Sequence, residues 1–178
     1  METFDPHSSE TAGYHLFLMP RGEGAIELQA LILTLSEEYG GPVFLPHVTL
    51  LARIPESDEN VVLEKTHILA SDMEHISLSL GELESQDSYF KALYLVVRDQ
   101  KEMRALHERA SLLFSRQPDV SYQAHLSLLY GNYPEERKAQ TRAELNVPEI
   151  SFVADAIHVY RTPGSVDTWQ KIGEFAFT

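Results

Sequence analysis

Two segments of the chain, HVTLLARIP from His47 and HLSLLYGNYP from His125, share the order His, apolar, Thr or Ser, apolar, and each ends in a proline ahead of a helical pattern. Their surroundings repeat as well. A strand at 14–20, a helix, the His47 strand, a helix and a strand near 76 are matched by a strand at 91–97, a helix, the His125 strand, a helix and a strand near 150. The first strands lie 77 positions apart and the histidines 78. Agreement at two points along the chain marks an internal duplication, and the expectation is two similar α+β lobes placed about a pseudo-twofold axis. Successive side chains of a strand point to opposite faces. His47 and Thr49 therefore share one face, as do His125 and Ser127, and the axis would bring the two polar faces together across a cleft.

The remaining pattern supports this order. Strands are expected at 14–20, 47–54, 76–83, 89–97, 125–131, 150–161 and 169–177. Helices are expected over GAIELQALILTLSEEYG, stopped by Gly40 and Gly41, and over SDENVVLEKTHILA, DQKEMRALHERASLLF and PEERKAQTRAEL, the last opening with Pro134 and acids in its first turn. There is no low-complexity tract and no clear linker, so residues 1–178 read as one domain of two intertwined lobes.

A third segment, HISL at 75–78, fits the same local pattern. No strand–helix unit leads into it, and its strand corresponds in the repeat to EISF at 149–152, where Glu149 stands in place of the histidine. His75 is therefore read as outside the site. The histidines at 7, 15, 67, 107 and 158 show no metal-ligand spacing, and no metal or other cofactor is expected. Nucleophile-elbow and phosphate-loop sequences are missing too.

The composition limits the partners. A formal net charge of −13 disfavours extended nucleic acid, because few cations are available to release counterions. A small anion could still be held locally, since charge is screened beyond about 8 Å at physiological salt. Without cysteine there is no thiolate nucleophile and no disulfide, which fits a reducing compartment. No apolar run is long enough to span a membrane and the first residues lack a secretory pattern. A cytoplasmic monomer acting on a small molecule is expected.

Two imidazoles and two hydroxyls around one cleft suit a phosphodiester. Hydroxyls donate to the non-bridging oxygens, one imidazole takes a proton from attacking water, and the other protonates the departing oxygen. An unperturbed pKa near 6.5 lets one ring be neutral and the other charged at neutral pH.

With PHVTL and HLSLLYG at duplicated positions, supported by YHLFLMP near the start and Thr168-Trp169 near the end, residues 14–177 resemble the 2H phosphoesterase superfamily, and within it the plant and yeast type of cyclic phosphodiesterase. The resemblance implies antiparallel sheets lining the cleft, with the helices outside. It implies hydrolysis of ADP-ribose 1″,2″-cyclic phosphate to ADP-ribose 1″-phosphate and of nucleoside 2′,3′-cyclic phosphates to nucleoside 2′-phosphates, as in RNA metabolism and tRNA splicing. It further implies His47 and His125 as the acid–base pair, assigned as acid and base respectively, with Thr49, Ser127 and Tyr130 on the phosphate oxygens. Strict alternation points Tyr130 away from His125, so that role requires a twist or bulge near Gly131. Phe17, Tyr89, Phe90 and Trp169 are candidates to contact a base or ribose.

Two other readings compete. One keeps the superfamily but moves the substrate to RNA 2′,3′-cyclic phosphate ends or 2′-5′ linkages, against which the negative charge counts. The other is a non-catalytic module that binds a phosphorylated nucleotide.

Overall fold

A computed structural model describes residues 5–178. Their order is β1 (Tyr14–Leu18), α1 (Gly22–Tyr39), β2 (Val48–Ile54), α2 (Glu59–Ala70), β3 (Ile76–Ser85), β4 (Leu93–Val97), α3 (Gln100–Leu113), β5 (His125–Leu129), α4 (Glu135–Glu144), β6 (Ser151–Ala154), β7 (Ala156–Arg161) and β8 (Gln170–Ala176). The helix boundaries have local causes. The side chain of Asp58 accepts the Asn60 N–H at the start of α2, and that of Asp99 accepts from Lys101 and Glu102 at the start of α3. Gly40 ends α1 in the left-handed conformation, φ 72°, its N–H returning to the Ser36 carbonyl.

The strands form one antiparallel sheet in the order β6-β3-β4-β5-β2-β1-β7-β8. The pseudo-twofold axis runs between β5 and β2, which meet at the single register pair Val48–Leu126. Only Asp155 separates β6, at one edge, from β7, next to the other edge. So short a link requires the sheet to curl until its two ends approach. The lobes also exchange helices, for α1 packs on β5 of the opposite lobe and α3 on β2. Leu50 and Leu128, fully buried, lie on the central strands of this helix-covered core.

Three expectations change. The 150–161 segment is two strands, because β6 pairs with β3 and β7 with β1, and the chain must cross between lobes at Asp155. Residues Tyr89–Lys91 form a 3-10 turn before β4 instead of extending it. The third strand of the first unit also leaves its own lobe: β3 pairs with β4, and in the symmetric strand order its counterpart is β7, not the segment beginning at Glu149. His75, just before β3, lies in a separate surface cavity beside Asp72, Glu102 and Arg109. Among the described residues, no helix is long and apolar enough to cross a membrane.

Candidate active site

Beside the central strand pair lies a cleft of about 200 Å³, lined by His47 and Thr49 from β2, His125 and Ser127 from β5, and Tyr130 just beyond it. The alternation that buries Val48 and Leu126 on the opposite face puts the polar pairs here. Both histidines are anchored alike. His47 Nδ1 lies 2.7 Å from the Leu45 carbonyl and His125 Nδ1 lies 2.8 Å from the Gln123 carbonyl. A carbonyl can only accept, so Nδ1 carries the proton in each ring and Nε2 is left for chemistry. The duplication therefore repeats the tautomer as well as the residue.

Tyr130 reaches the cleft through a β-bulge. Tyr94 pairs with Ser127 but Leu93 with Leu129, so β5 carries one extra residue, Leu128, and the alternation is reset beyond it. The Tyr130 hydroxyl ends 3.3 Å from His47 Nε2. The same irregularity occurs in β2, where Phe17 pairs with Thr49 and Leu16 with Leu51, leaving Leu50 as the extra residue. A bulge was required near Gly131; it lies two to three residues earlier.

Of the candidate aromatic residues, Phe17, Phe90 and Trp169 line the cleft. Phe17 is 2% exposed and stacks on the His47 ring, centroids 4.0 Å apart, so it holds that imidazole from behind. Phe90 and Trp169 face each other at 5.9 Å. Tyr89 lies outside the lining, its ring edge-on to Phe90. The Ser127 hydroxyl donates to the Phe90 carbonyl at 2.8 Å, whereas Thr49 faces the cleft directly.

Burial pushes His47 and His125 down from the ordinary imidazole value to about 4. For His125 the Lys91 ammonium adds to that effect. Both rings are consequently neutral in the free protein at pH 7, unlike the half-charged pair that unperturbed values imply.

Sequence reasoning overlooked six lining residues: Thr11, His15, Ala52, Arg53, Ser88 and Lys91. His15 was legible from its position two residues before Phe17, on the same face of β1. Burial and the nearby His47 lower it to about 3, and its Nε2 lies 3.2 Å from the Thr11 hydroxyl. Among the described residues the cleft lining thus holds three imidazoles and two side-chain cations but no carboxylate, in a chain of formal charge −13. Such a site attracts a compact anion and offers no oxygen ligand set to a hard divalent ion.

Comparison with known proteins agrees with this geometry. A cyclic phosphodiesterase from Arabidopsis thaliana is 22% identical over 169 residues, covering 89% of this chain and 92% of its own. The structure of TT0787 from Thermus thermophilus superposes with a TM-score of 0.66 at 15% identity, covering 92% of this chain and 97% of that one. E. coli LigT in its apo form gives 0.63 at 14% identity, with coverages of 95% and 99%. Residues 12–177 match the family described as cyclic phosphodiesterase-like protein, and with its paired motif strands and two-lobed sheet the chain belongs to that family of phosphodiester hydrolases, within the 2H phosphoesterase superfamily.

Proposed function

We propose that the protein hydrolyses small cyclic phosphodiesters without a metal ion, opening ADP-ribose 1″,2″-cyclic phosphate to the 1″-phosphate and nucleoside 2′,3′-cyclic phosphates to the 2′-phosphate. The observation that carries this reading is the matched pair of anchored imidazoles, each with Nε2 left for the cleft that Thr49 and Ser127 line.

Burial holds both rings near 4, with Lys91 adding to the effect at His125. The family resemblance, and not the electrostatics, supports His125 as general base and His47 as general acid, which an anion bound beside His47 would help to protonate. In a nucleoside 2′,3′-cyclic phosphate, water attacks phosphorus opposite O3′ and gives its proton to His125 Nε2. The P–O3′ bond breaks, and O3′ takes the proton from His47 Nε2. One water is consumed and one proton is transferred from His47 to His125, to be restored through solvent. Thr49, Tyr130 and the reoriented Ser127 hydroxyl donate to the non-bridging oxygens, where charge accumulates. Phe90 and Trp169 offer flat surfaces to a base at the rim.

The test is product analysis in EDTA with ADP-ribose 1″,2″-cyclic phosphate, a nucleoside 2′,3′-cyclic phosphate and a short RNA ending in a cyclic phosphate, with His125→Ala as control. Opening of the small substrates by the wild type alone is expected, with the phosphate retained on O1″ or O2′. Turnover of the RNA alone would move the substrate class to RNA ends, and activity abolished by EDTA would overturn the metal-free mechanism.

A further inference from the structure

Beyond Val48 the central strand β2 has no register partner in β5 among the described residues, and its bulge at Leu50 interrupts the ladder to β1. Buried carbonyls freed by such a break need donors. Three side chains from α3 and the loop after it supply them. The Tyr122 hydroxyl donates to the Thr49 carbonyl at 2.9 Å, His107 Nδ1 to the Leu50 carbonyl at 2.9 Å, and the Arg116 guanidinium to the Ala52 carbonyl. Because a carbonyl only accepts, Nδ1 of His107 carries the ring proton, and Nε2 accepts the Asp119 N–H at 3.2 Å. The imidazole lies flat on the Tyr122 ring, with centroids 4.0 Å and planes 5° apart, so the two donors brace each other. The next residue, Gln123, supplies the carbonyl that anchors His125 Nδ1.

The duplicated half lacks this arrangement. The 78-residue offset between the motif histidines also separates the starts of α1 and α3, and it sets Gln29, Glu38 and Phe44 opposite His107, Arg116 and Tyr122. Phe44 has no hydroxyl and the Glu38 carboxylate no proton to donate, while Gln29 Nε2 donates to the Phe44 carbonyl and not to β5. A duty imposed by the fold alone would recur in both lobes. We propose that His107 and Tyr122 are positioning residues for the hydrolysis, fixing through the Leu50 and Thr49 carbonyls the bulge that aims the Thr49 hydroxyl into the cleft. The assignment rests on the phosphodiesterase reading above. Neither residue is among those that line the cleft, so both act through the backbone of β2. A donor to developing charge must be held to within about 0.5 Å, and Thr49 stands directly before the extra residue, where strand pairing restrains the chain least.

A double-mutant cycle separates positioning from mere stability. Tyr122→Phe keeps the ring and its stack on His107 but loses the bond to Thr49, and it is made in the wild type and in Thr49→Ala. In the wild type it should lower kcat/KM for a nucleoside 2′,3′-cyclic phosphate by roughly 3- to 10-fold, the range of one net hydrogen bond. In Thr49→Ala, where the aimed hydroxyl is already gone, it should cost less than twofold. The same loss in both backgrounds, or a lower urea midpoint with unchanged kinetics, overturns the proposal. His107→Gln restores an amide donor for Leu50 and an acceptor for Asp119, whereas His107→Leu offers neither, so the glutamine variant should retain clearly more activity. Equal activity of these two also overturns it, and should either fail to fold the Tyr122 cycle decides alone. Affinity for adenosine 2′-phosphate is measured calorimetrically on the same four proteins of the cycle. If the wild type binds this probe but opens no cyclic phosphate, the phosphodiesterase reading fails, and coupling or independence of Tyr122 and Thr49 in binding still decides their relationship. A wild type that does neither overturns both.

Discussion

The Tyr130 hydroxyl lies 3.3 Å from Nε2 of His47, and the two residues come from opposite lobes. His47 Nδ1 already donates to Leu45, so the neutral ring accepts from Tyr130 at Nε2. This contact ties the cleft-facing nitrogen of one half to the bulge of the other. Tyr130→Phe removes the donor while keeping the ring that stacks on Phe44. A loss of roughly 10- to 100-fold in kcat, with a much smaller change in KM, is expected for a donor to developing charge. Steady-state kinetics at one pH decide it, and a kcat within twofold of wild type would remove Tyr130 from the chemistry.

Replacing either anchored histidine should cost about 10² to 10⁴ in rate, the usual worth of one proton transfer. His75→Ala should change the rate less than twofold, because His75 lines a different cavity. A reversed pattern, with His75→Ala inactive, would show that the third motif-like segment and not the duplicated pair carries the reaction.

The four residues at duplicated positions were legible because period-two alternation and a constant offset both act within a few residues. Tyr130 was half legible. Its reorientation depends on one extra leucine in β5, and Leu128 is as apolar as the residues around it, so nothing local marks the bulge. The crossing of β3 into the other lobe was not legible, because strand pairing is set by which edges the curled sheet leaves open. His15 was passed over because it shows no metal-ligand spacing, although it stands two residues before Phe17 on β1.

Thr49 and Ser127 should not be equivalent. In the free protein the Ser127 hydroxyl donates to the Phe90 carbonyl at 2.8 Å, and its single proton must leave that bond to reach a phosphate oxygen. Thr49 gives up no such bond among the described contacts. Thr49→Ala should therefore lower kcat/KM more than Ser127→Ala, by about fivefold or more, since a hydrogen bond to a charged group is worth roughly 1.5–3 kcal/mol. Equal losses would mean that the ligand-free orientation of Ser127 has no energetic consequence.

The buried imidazoles also link stability to acid. His15 falls to about 3 in the folded protein against about 6.5 when unfolded. Between these values the unfolded chain binds the extra proton, so the contribution of His15 is full above pH 6.5 and is lost as pH falls toward 3. Comparison with His15→Gln isolates this effect from the changing repulsion among the many carboxylates. The stability difference between wild type and variant should shift against the wild type by on the order of 2 kcal/mol from pH 7 to pH 4.5. Urea unfolding at both pH values measures it, and a difference independent of pH would mean that His15 protonates freely in the fold.

Catalysis should show the same depression from the opposite side. With His47 and His125 both near 4, the free protein holds almost no imidazolium at neutral pH. The proposed reaction needs one protonated and one neutral ring, and in the free protein that combination becomes scarcer as pH rises above about 5. Binding a phosphate monoanion beside His47 favours its charged form and raises its pKa. It follows that kcat/KM, which reports the free protein, should fall steadily from pH 5 to 8, while kcat should hold to a higher pH. NMR titration of the ring protons supplies the independent check. In the free protein neither His47 nor His125 should titrate between pH 5.5 and 8, and on addition of adenosine 2′-phosphate one of them should move up into that range. Titration of both near 6.5 without ligand would mean that the cleft is wetter than its packing implies, and the two pH profiles would then coincide.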